Sequence, residues 1–189
     1  RSKSLDRNSF DSGDWFNRLD WSGIDNGFGA GLPPQRDNGK DWALLRPVLR
    51  NANARPSSAE IAWMRDAFRD LLRIRASTPL FRLASADDIA QRLAFRNTGP
   101  AQNPLVIVGR LDGAGMAGPY REVLYLLNVL PETQVLTLPE EIGKAYVLHP
   151  VQSSASATDV RARQARYRAR DGRIEVPART AVVFVVPKE

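Results

Sequence analysis

From residue 93 to residue 187 the chain is a succession of short apolar runs, each bounded by Pro, Gly, Asp, Asn or Ser. They read LAFRN (93–97), PLVIVGRL (104–111), REVLYLLNVL (121–130), TQVLTL (133–138), KAYVLH (144–149), ARYRA (165–169), GRIEVP (172–177) and TAVVFVVP (180–187). Runs this short and this rich in Val, Leu and Tyr suit strands, and the turn residues between them suit antiparallel connections. Seven or eight such strands predict a mainly β fold, an antiparallel sandwich or barrel.

One strong helical signal precedes the strands. SSAEIAWMRDAFRDLLRIR opens with a capping box, Ser57 followed three residues later by Glu60, and places Ile61, Met64, Phe68, Leu71 and Leu72 at helical spacing. Arg65, Asp66, Arg69, Asp70 and Arg73 occupy the other face, so a helix over 58–76 is expected to pack one side on a core and show the other to water. Pro79 ends it by pushing Thr78 out of the helical region. A short helix is expected at SADDIAQRL with Ser85 as N-cap, and a domain boundary near residue 82.

Residues 1–55 differ in kind. They are rich in Asp, Asn, Gly and Pro without a sustained period, and predict a long loop with short helical pieces around 42–49. A loop of this length is uncommon in a small self-sufficient domain and reads as a functional loop of a larger scaffold. The chain starts without methionine, carries no leader-like apolar run and has no stretch of eighteen apolar residues, so it reads as a soluble piece cut from something longer.

The chain has no cysteine, which removes disulfides, thiolate zinc sites and a thiol nucleophile. The formal net charge of +6 raises nucleic acid or an anionic membrane as partners. The excess is arginine scattered along the chain, which favours a solvated surface instead. The densest cluster, RARQARYRAR (161–170), alternates Ala165, Tyr167 and Ala169 against Arg166, Arg168 and Arg170, the pattern of a half-buried edge strand whose charges discourage further pairing.

Other candidate chemistry is thin. His149 is the sole histidine, sits at a strand end and reads as structural, because a metal site would need carboxylate partners and a Ser-His pair an orienting acid. GFGAG (27–31) lacks the Lys and Ser/Thr of a phosphate loop and follows no strand.

SLDRNSFDSGDWFNRLDW (4–21) gathers Asp6, Asp11, Asp14 and Asp20 with Phe10, Trp15, Phe16 and Trp21. Carboxylates accept hydrogen bonds from sugar hydroxyls and rings cover apolar sugar faces, whereas the plainer reading is a turn-rich surface loop. As a glycosidase acid/base site the stretch is weak, since nothing marks one carboxylate as the protonated partner. Trp15, Trp21 and Trp42 lie on loop or its margin, where sugar stacking is open to them; Trp63 belongs to the helix.

RSKSLDRNSFDSGDWFNRLDW, NGFGAGLPP, DNGKDWALLRPVL, LLRIRASTPLFRL and the closing GRIEVPARTAVVFVV together resemble the C-terminal part of pullulanase-type α-1,6-glucosidases, debranching enzymes of the α-amylase superfamily that include limit dextrinases. The resemblance implies that residues 1–82 are the last substrate-side loop and last helix of a catalytic (β/α)8 barrel, and residues 83–189 an all-β C-terminal sandwich. It implies a parent that hydrolyses α-1,6 branch points of pullulan, amylopectin and limit dextrins with retention. The family's aspartate nucleophile, glutamate acid and stabilising aspartate lie upstream of the matched region, so no catalytic residue is assigned here and the chain alone is expected to be inactive.

Asp6 and Arg7 match the family's sugar-binding Asp-Arg pair, and Asp14, Trp15 and Asn17 match the family's loop motif, either touching sugar or holding the loop in shape, which gives five candidate substrate-binding residues. The implied partner is an α-glucan, with no nucleic acid and no membrane. No cofactor is identified; calcium is frequent in the superfamily, yet no Asp/Asn loop here has ligand spacing. The compartment of the parent stays open, a secreted or periplasmic one being among those allowed, with no signal segment in this chain. Two readings from other classes stand beside it: a non-catalytic carbohydrate-binding module, and a basic nucleic-acid-binding domain.

Overall fold

All eight apolar runs form strands: β1 (Leu93–Arg96), β2 (Val106–Asp112), β3 (Tyr120–Asn128), β4 (Gln134–Thr137), β5 (Val147–Leu148), β6 (Arg166–Arg168), β7 (Arg173–Val176) and β8 (Thr180–Pro187). In this computed structural model residues 4–7, 20–24 and 27–188 are described, and the chain divides into two units, residues 1–65 and 66–189. Some runs are trimmed for local reasons. Pro104 offers no N–H to a ladder, and β2 begins only at Val106; the 144–149 run contracts to Val147–Leu148, after which His149, its N still bonded to Val183 O at 2.8 Å, caps a helix.

The strands build two antiparallel sheets, one ordered β1-β2-β3-β8-β5 and one ordered β4-β7-β6. Register fixes the facing set: Val108 lies opposite Leu126, and Leu124 opposite Phe184. With a side-chain period of two, Val106, Val108, Leu124, Leu126, Val182 and Phe184 share one face of the larger sheet and pack with Ile174 and Val176 of the smaller. Intervening residues Leu111, Val123, Val183 and Val185 point the other way and pack with Ile74 and Leu80. Central strands β3 and β8 are therefore buried on both faces, which explains why VLYLL and AVVFVV are continuous apolar runs with no polar alternation. Gly109 is required within β2, since a Cβ there would lie 2.1 Å from the ring of Tyr125 on the neighbouring strand.

Among the helices, α1 (Gln35–Asn38) and α2 (Trp42–Arg50) interrupt the first loop, α3 (Ser58–Ala76) is the long helix, and α4 (Ala86–Arg92) and α5 (Pro150–Ser153) are short. The capping box is present: Ser57 Oγ accepts from Glu60 N at 3.2 Å, while Glu60 Oε2 accepts from Ser57 N at 2.7 Å. Ser85 caps α4 through Asp88 N at 3.0 Å.

The apolar face of α3 departs from expectation. Met64 and Phe68 are 62% and 59% exposed, and Leu71 and Leu72 are also exposed, whereas Ile74 is buried. In the last turns Ile74 packs with Leu111, Val123, Val183 and Val185 of the larger sheet, and Asp70 accepts from Thr158 N, in the segment after α5, at 2.9 Å and from Arg73 Nη1 at 2.9 Å. The Thr158 amide, followed in effect by Arg73, holds the Asp70 carboxyl below its ordinary range despite desolvation. Among the described residues no helix is long and apolar enough to cross a membrane.

Candidate functional site

In the first unit the Asp6-Arg7 pair is held by one amide. Asn38, at the end of α1 and only 1% exposed, donates Nδ2 to Asp6 Oδ1 at 2.8 Å and to Pro34 O at 3.2 Å, and its Oδ1 accepts from Arg7 N at 3.1 Å. Two acceptors facing one end and a donor facing the other set the amide's orientation. Asp6 is 6% exposed while Arg7 is exposed, so the acid is drawn beneath the surface and the guanidinium is presented outward. The preceding Leu5 has φ 61, an uncommon left-handed setting for a residue with a Cβ, of the kind found where surrounding contacts dictate the backbone.

The seat of this clamp follows from PPQRDNGKDW. Proline carbonyls 33 and 34 accept from Trp42 Nε1 at 2.9 Å and from Asn38 N at 3.0 Å, tying the entry of α1 to its own exit and to α2. Gly29, with φ 74, passes so close to α2 that a Cβ would sit 2.5 Å from Leu49 O. GFGAG is thus a turn that packs against backbone at Gly29, where only glycine allows that approach.

Asp14, Trp15 and Asn17, with Asp11, lie outside the described residues. Asp20 makes an Asx turn, its Oδ1 accepting from Ser22 N at 2.9 Å and Ser22 Oγ at 2.6 Å, and Trp21 stands on that turn 91% exposed. Trp42 is half-buried with its indole N–H engaged, which leaves Trp21 as the more open of the two rings. The resemblance made Asp6 and Arg7 candidates and did not single out Asn38, which holds both. The signal available was a lone Asn closing a short helix after two prolines, too common to single out.

The second unit brings together other titratable groups, each with a structural role. His149 is 1% exposed; Nδ1 accepts from Val151 N at 3.2 Å, so the neutral ring carries its proton on Nε2, 3.0 Å from Ser77 Oγ. Ser77 donates onward to Ile74 O at 2.7 Å. A serine hydroxyl aimed at a carbonyl, beside a ring whose second nitrogen faces an amide, lacks the alignment of a nucleophile and base.

Burial pushes His149 from the ordinary 6.5 down to about 4. Because the folded value lies below the unfolded one, its contribution to stability is complete above pH 6.5 and is lost as pH falls from 6.5 towards 4. Melting temperatures at pH 7 and pH 5 are expected to fall less for His149→Gln than for the unmodified chain; an equal fall would contradict the assignment.

Glu122 and Glu141 are a carboxylate pair bridged by Lys144 Nζ, 2.7 Å and 2.8 Å away, and by Tyr146 OH, 2.8 Å and 2.9 Å away. Burial opposes their charge, but bonds from Arg110, Lys144 and Tyr146 take Glu122 down to about 2, and Lys144, Arg96 and Tyr146 lower Glu141. Two carboxyls that stay ionised behind three cations offer no general acid.

The arginine cluster is the edge strand expected. β6 lies at the outer side of the three-stranded sheet, Tyr167 packs inward and Arg166 and Arg168 face out, while Arg161 and Arg163 fall in a turn over Val160–Gln164. Arg161 is bidentate on Asp159, Arg168 pairs with Asp171, and Arg166 donates to Arg163 O and Ala165 O. These guanidinium groups are engaged by their own neighbours. Among the described residues no three His, Asp or Glu groups are placed to hold a metal ion.

Comparison with known proteins gives the chain a consistent setting. The family described as alpha-1,6-glucosidases, pullulanase-type, C-terminal, matches residues 23–187. Chloroplastic pullulanase 1 of Arabidopsis thaliana is 40% identical over 98% of this chain and 20% of its own length. A pullulanase of Klebsiella pneumoniae is 33% identical over 100% of this chain and 17% of its own length. The crystal structure of PulA from Klebsiella oxytoca superposes with a TM-score of 0.85 at 32% identity, covering 100% of this chain and 18% of that one. The maltotriose complex of PulA from Klebsiella pneumoniae gives 0.86 at 31% identity over 100% of this chain and 20% of that one. The chain thus spans about a fifth of the length of the relatives it matches, and their likeness extends over Asp6 and Arg7, upstream of the family match.

Proposed function

The chain belongs to the pullulanase-type α-1,6-glucosidases, whose C-terminal region it represents, and from that membership we propose that it works as part of a longer glycoside hydrolase. The parent cleaves α-1,6 branch points in pullulan, amylopectin and limit dextrins with retention. Residues 1–82 supply the last substrate-side loop and helix of its barrel, and residues 83–189 a stabilising β domain. The likeness over the whole chain to a pullulanase solved with maltotriose carries this reading.

In this reading the chain binds sugar and leaves bond cleavage to carboxylates upstream. A retaining glycosidase needs two carboxyl groups about 5 Å apart across the scissile bond. The pair available in the β domain, Glu122 and Glu141, is saturated by cations and held ionised. Arg7 is exposed and its guanidinium carries five N–H donors in a fixed fork, suited to neighbouring sugar hydroxyls. Asp6, the residue before it, is buried, and Asp14, Trp15 and Asn17 complete the five candidate sugar-binding residues. The exposed Met64, Phe68 and Leu72 of α3 are the side the barrel covers in the intact enzyme.

The test is hydrolysis of pullulan by the full-length enzyme. A hydrogen bond from a charged donor contributes about 1.5–3 kcal/mol, so Arg7→Ala is expected to lower kcat/KM by about 10- to 100-fold. Unchanged kcat/KM would remove Arg7 from the substrate site.

A further inference from the structure

We propose that Asn38 is a positioning residue for the substrate loop: it does not touch sugar, and it sets the direction in which Arg7 is offered to sugar. The inference rests on the reading of Asp6 and Arg7 as sugar-binding groups and goes beyond it to the residue that holds them.

Three contacts converge on this one side chain. Its Nδ2 bonds the Asp6 carboxylate at 2.8 Å and the Pro34 carbonyl at 3.2 Å, and its Oδ1 takes the Arg7 backbone N–H at 3.1 Å. The first and last fix successive residues of the loop, one by its side chain and one by its main chain. The contact with Pro34 joins both to the start of α1, where Asp37 N and Asn38 N also bond the same carbonyl at 3.3 Å and 3.0 Å. Arg7 is left with its backbone pinned and its side chain exposed. A long cation gains from such anchoring, because less rotational freedom remains to be lost when it binds.

Asparagine is the residue type the geometry requires. Aspartate at 38 has the same size but no donor, and would bring a second carboxylate to the 2.8 Å position now filled by an N–H facing Asp6. Alanine would leave the buried Asp6 carboxylate and the Arg7 amide without these partners. Glutamine is longer by a methylene in a site 1% exposed.

The experiment is a double-mutant cycle in the full-length enzyme, reading kcat and KM on pullulan for Asn38→Ala, Arg7→Ala and the double variant, with melting temperature recorded for each. Asn38→Ala is expected to lower kcat/KM about 10-fold alone and less than about 2-fold when Arg7 is already alanine, because the two act through one contact. Asn38→Asp is expected to be at least as damaging as Asn38→Ala, and Asn38→Ser, which keeps a hydroxyl donor and acceptor in a smaller side chain, repeats the cycle if the alanine variant does not fold.

Losses that multiply independently of Arg7 would overturn the proposal, since Asn38 would then act by general stability. Unchanged kinetics for Asn38→Ala beside a damaged Arg7→Ala would overturn it while leaving Arg7 a sugar ligand. Unchanged kinetics for Arg7→Ala would overturn the reading on which the inference rests.

Discussion

Replacing Glu141 with alanine is expected to lower the unfolding free energy by about 3–5 kcal/mol, the usual cost of leaving buried opposite charges without their partner. Glu141 has no exposed surface, and its carboxylate takes Arg96 Nε at 2.7 Å, Lys144 Nζ at 2.8 Å and Tyr146 OH at 2.9 Å. Through Lys144 and Tyr146 it is linked to Glu122, and through Glu122 to Arg110 and Asp112. Three cations, Arg96, Arg110 and Lys144, thus balance three carboxylates, Asp112, Glu122 and Glu141.

Removing one carboxylate leaves a net positive cluster whose members are mostly shielded from water. Glu141→Gln keeps an acceptor without the charge and is expected to lose about half as much, since hydrogen bonds to neutral groups are roughly half as strong as charge-assisted ones. Urea denaturation followed by circular dichroism measures both variants. A loss below about 1 kcal/mol for Glu141→Ala would place the cluster in the class of solvated surface pairs.

Leu126→Ala is expected to cost about 2–5 kcal/mol, the range for truncating a leucine in a core that cannot collapse around the cavity. Leu126 has no exposed surface and lies between Val108 of β2 and Val182 of β8, all three facing the smaller sheet. Leu127, one residue on, faces the opposite side and is 37% exposed, so Leu127→Ala is expected to cost less than about 1 kcal/mol. The pair tests the alternation as well as the core. Equal losses at the two positions would contradict the register.

The strands were legible because hydrophobic runs and turn residues are local: every run from 93 to 187 became a strand within a few residues of its expected ends. The capping box of Ser57 and Glu60 was legible for the same reason, as was the alternation that puts Tyr167 inward and Arg166 and Arg168 outward. The order of the sheets was not, since nothing in TAVVFVV names β3 and β5 as its neighbours.

Contacts between distant residues were equally hidden. Asn38 meets Asp6 across 32 residues and Glu141 meets Arg96 across 45, separations at which no spacing rule operates. The apolar stripe of α3 shows the limit of a periodic pattern: Met64, Phe68 and Leu72 keep helical spacing and stand exposed, while Asp70 and Ile74 are buried. Asp6 and Arg7 were legible as candidates through resemblance. Their division of labour, one drawn inward by Asn38 and one turned outward, came from geometry.

The most direct measurement is the release of reducing ends from pullulan by this purified chain alone. No release is expected, because the proposed function gives this chain the binding and positioning of sugar and leaves the reacting carboxylates to the upstream part of the enzyme. Release above the buffer control by the unmodified chain, abolished on changing a carboxylate among Asp6, Asp11, Asp14 and Asp20, would contradict this and place the chemistry within the chain itself.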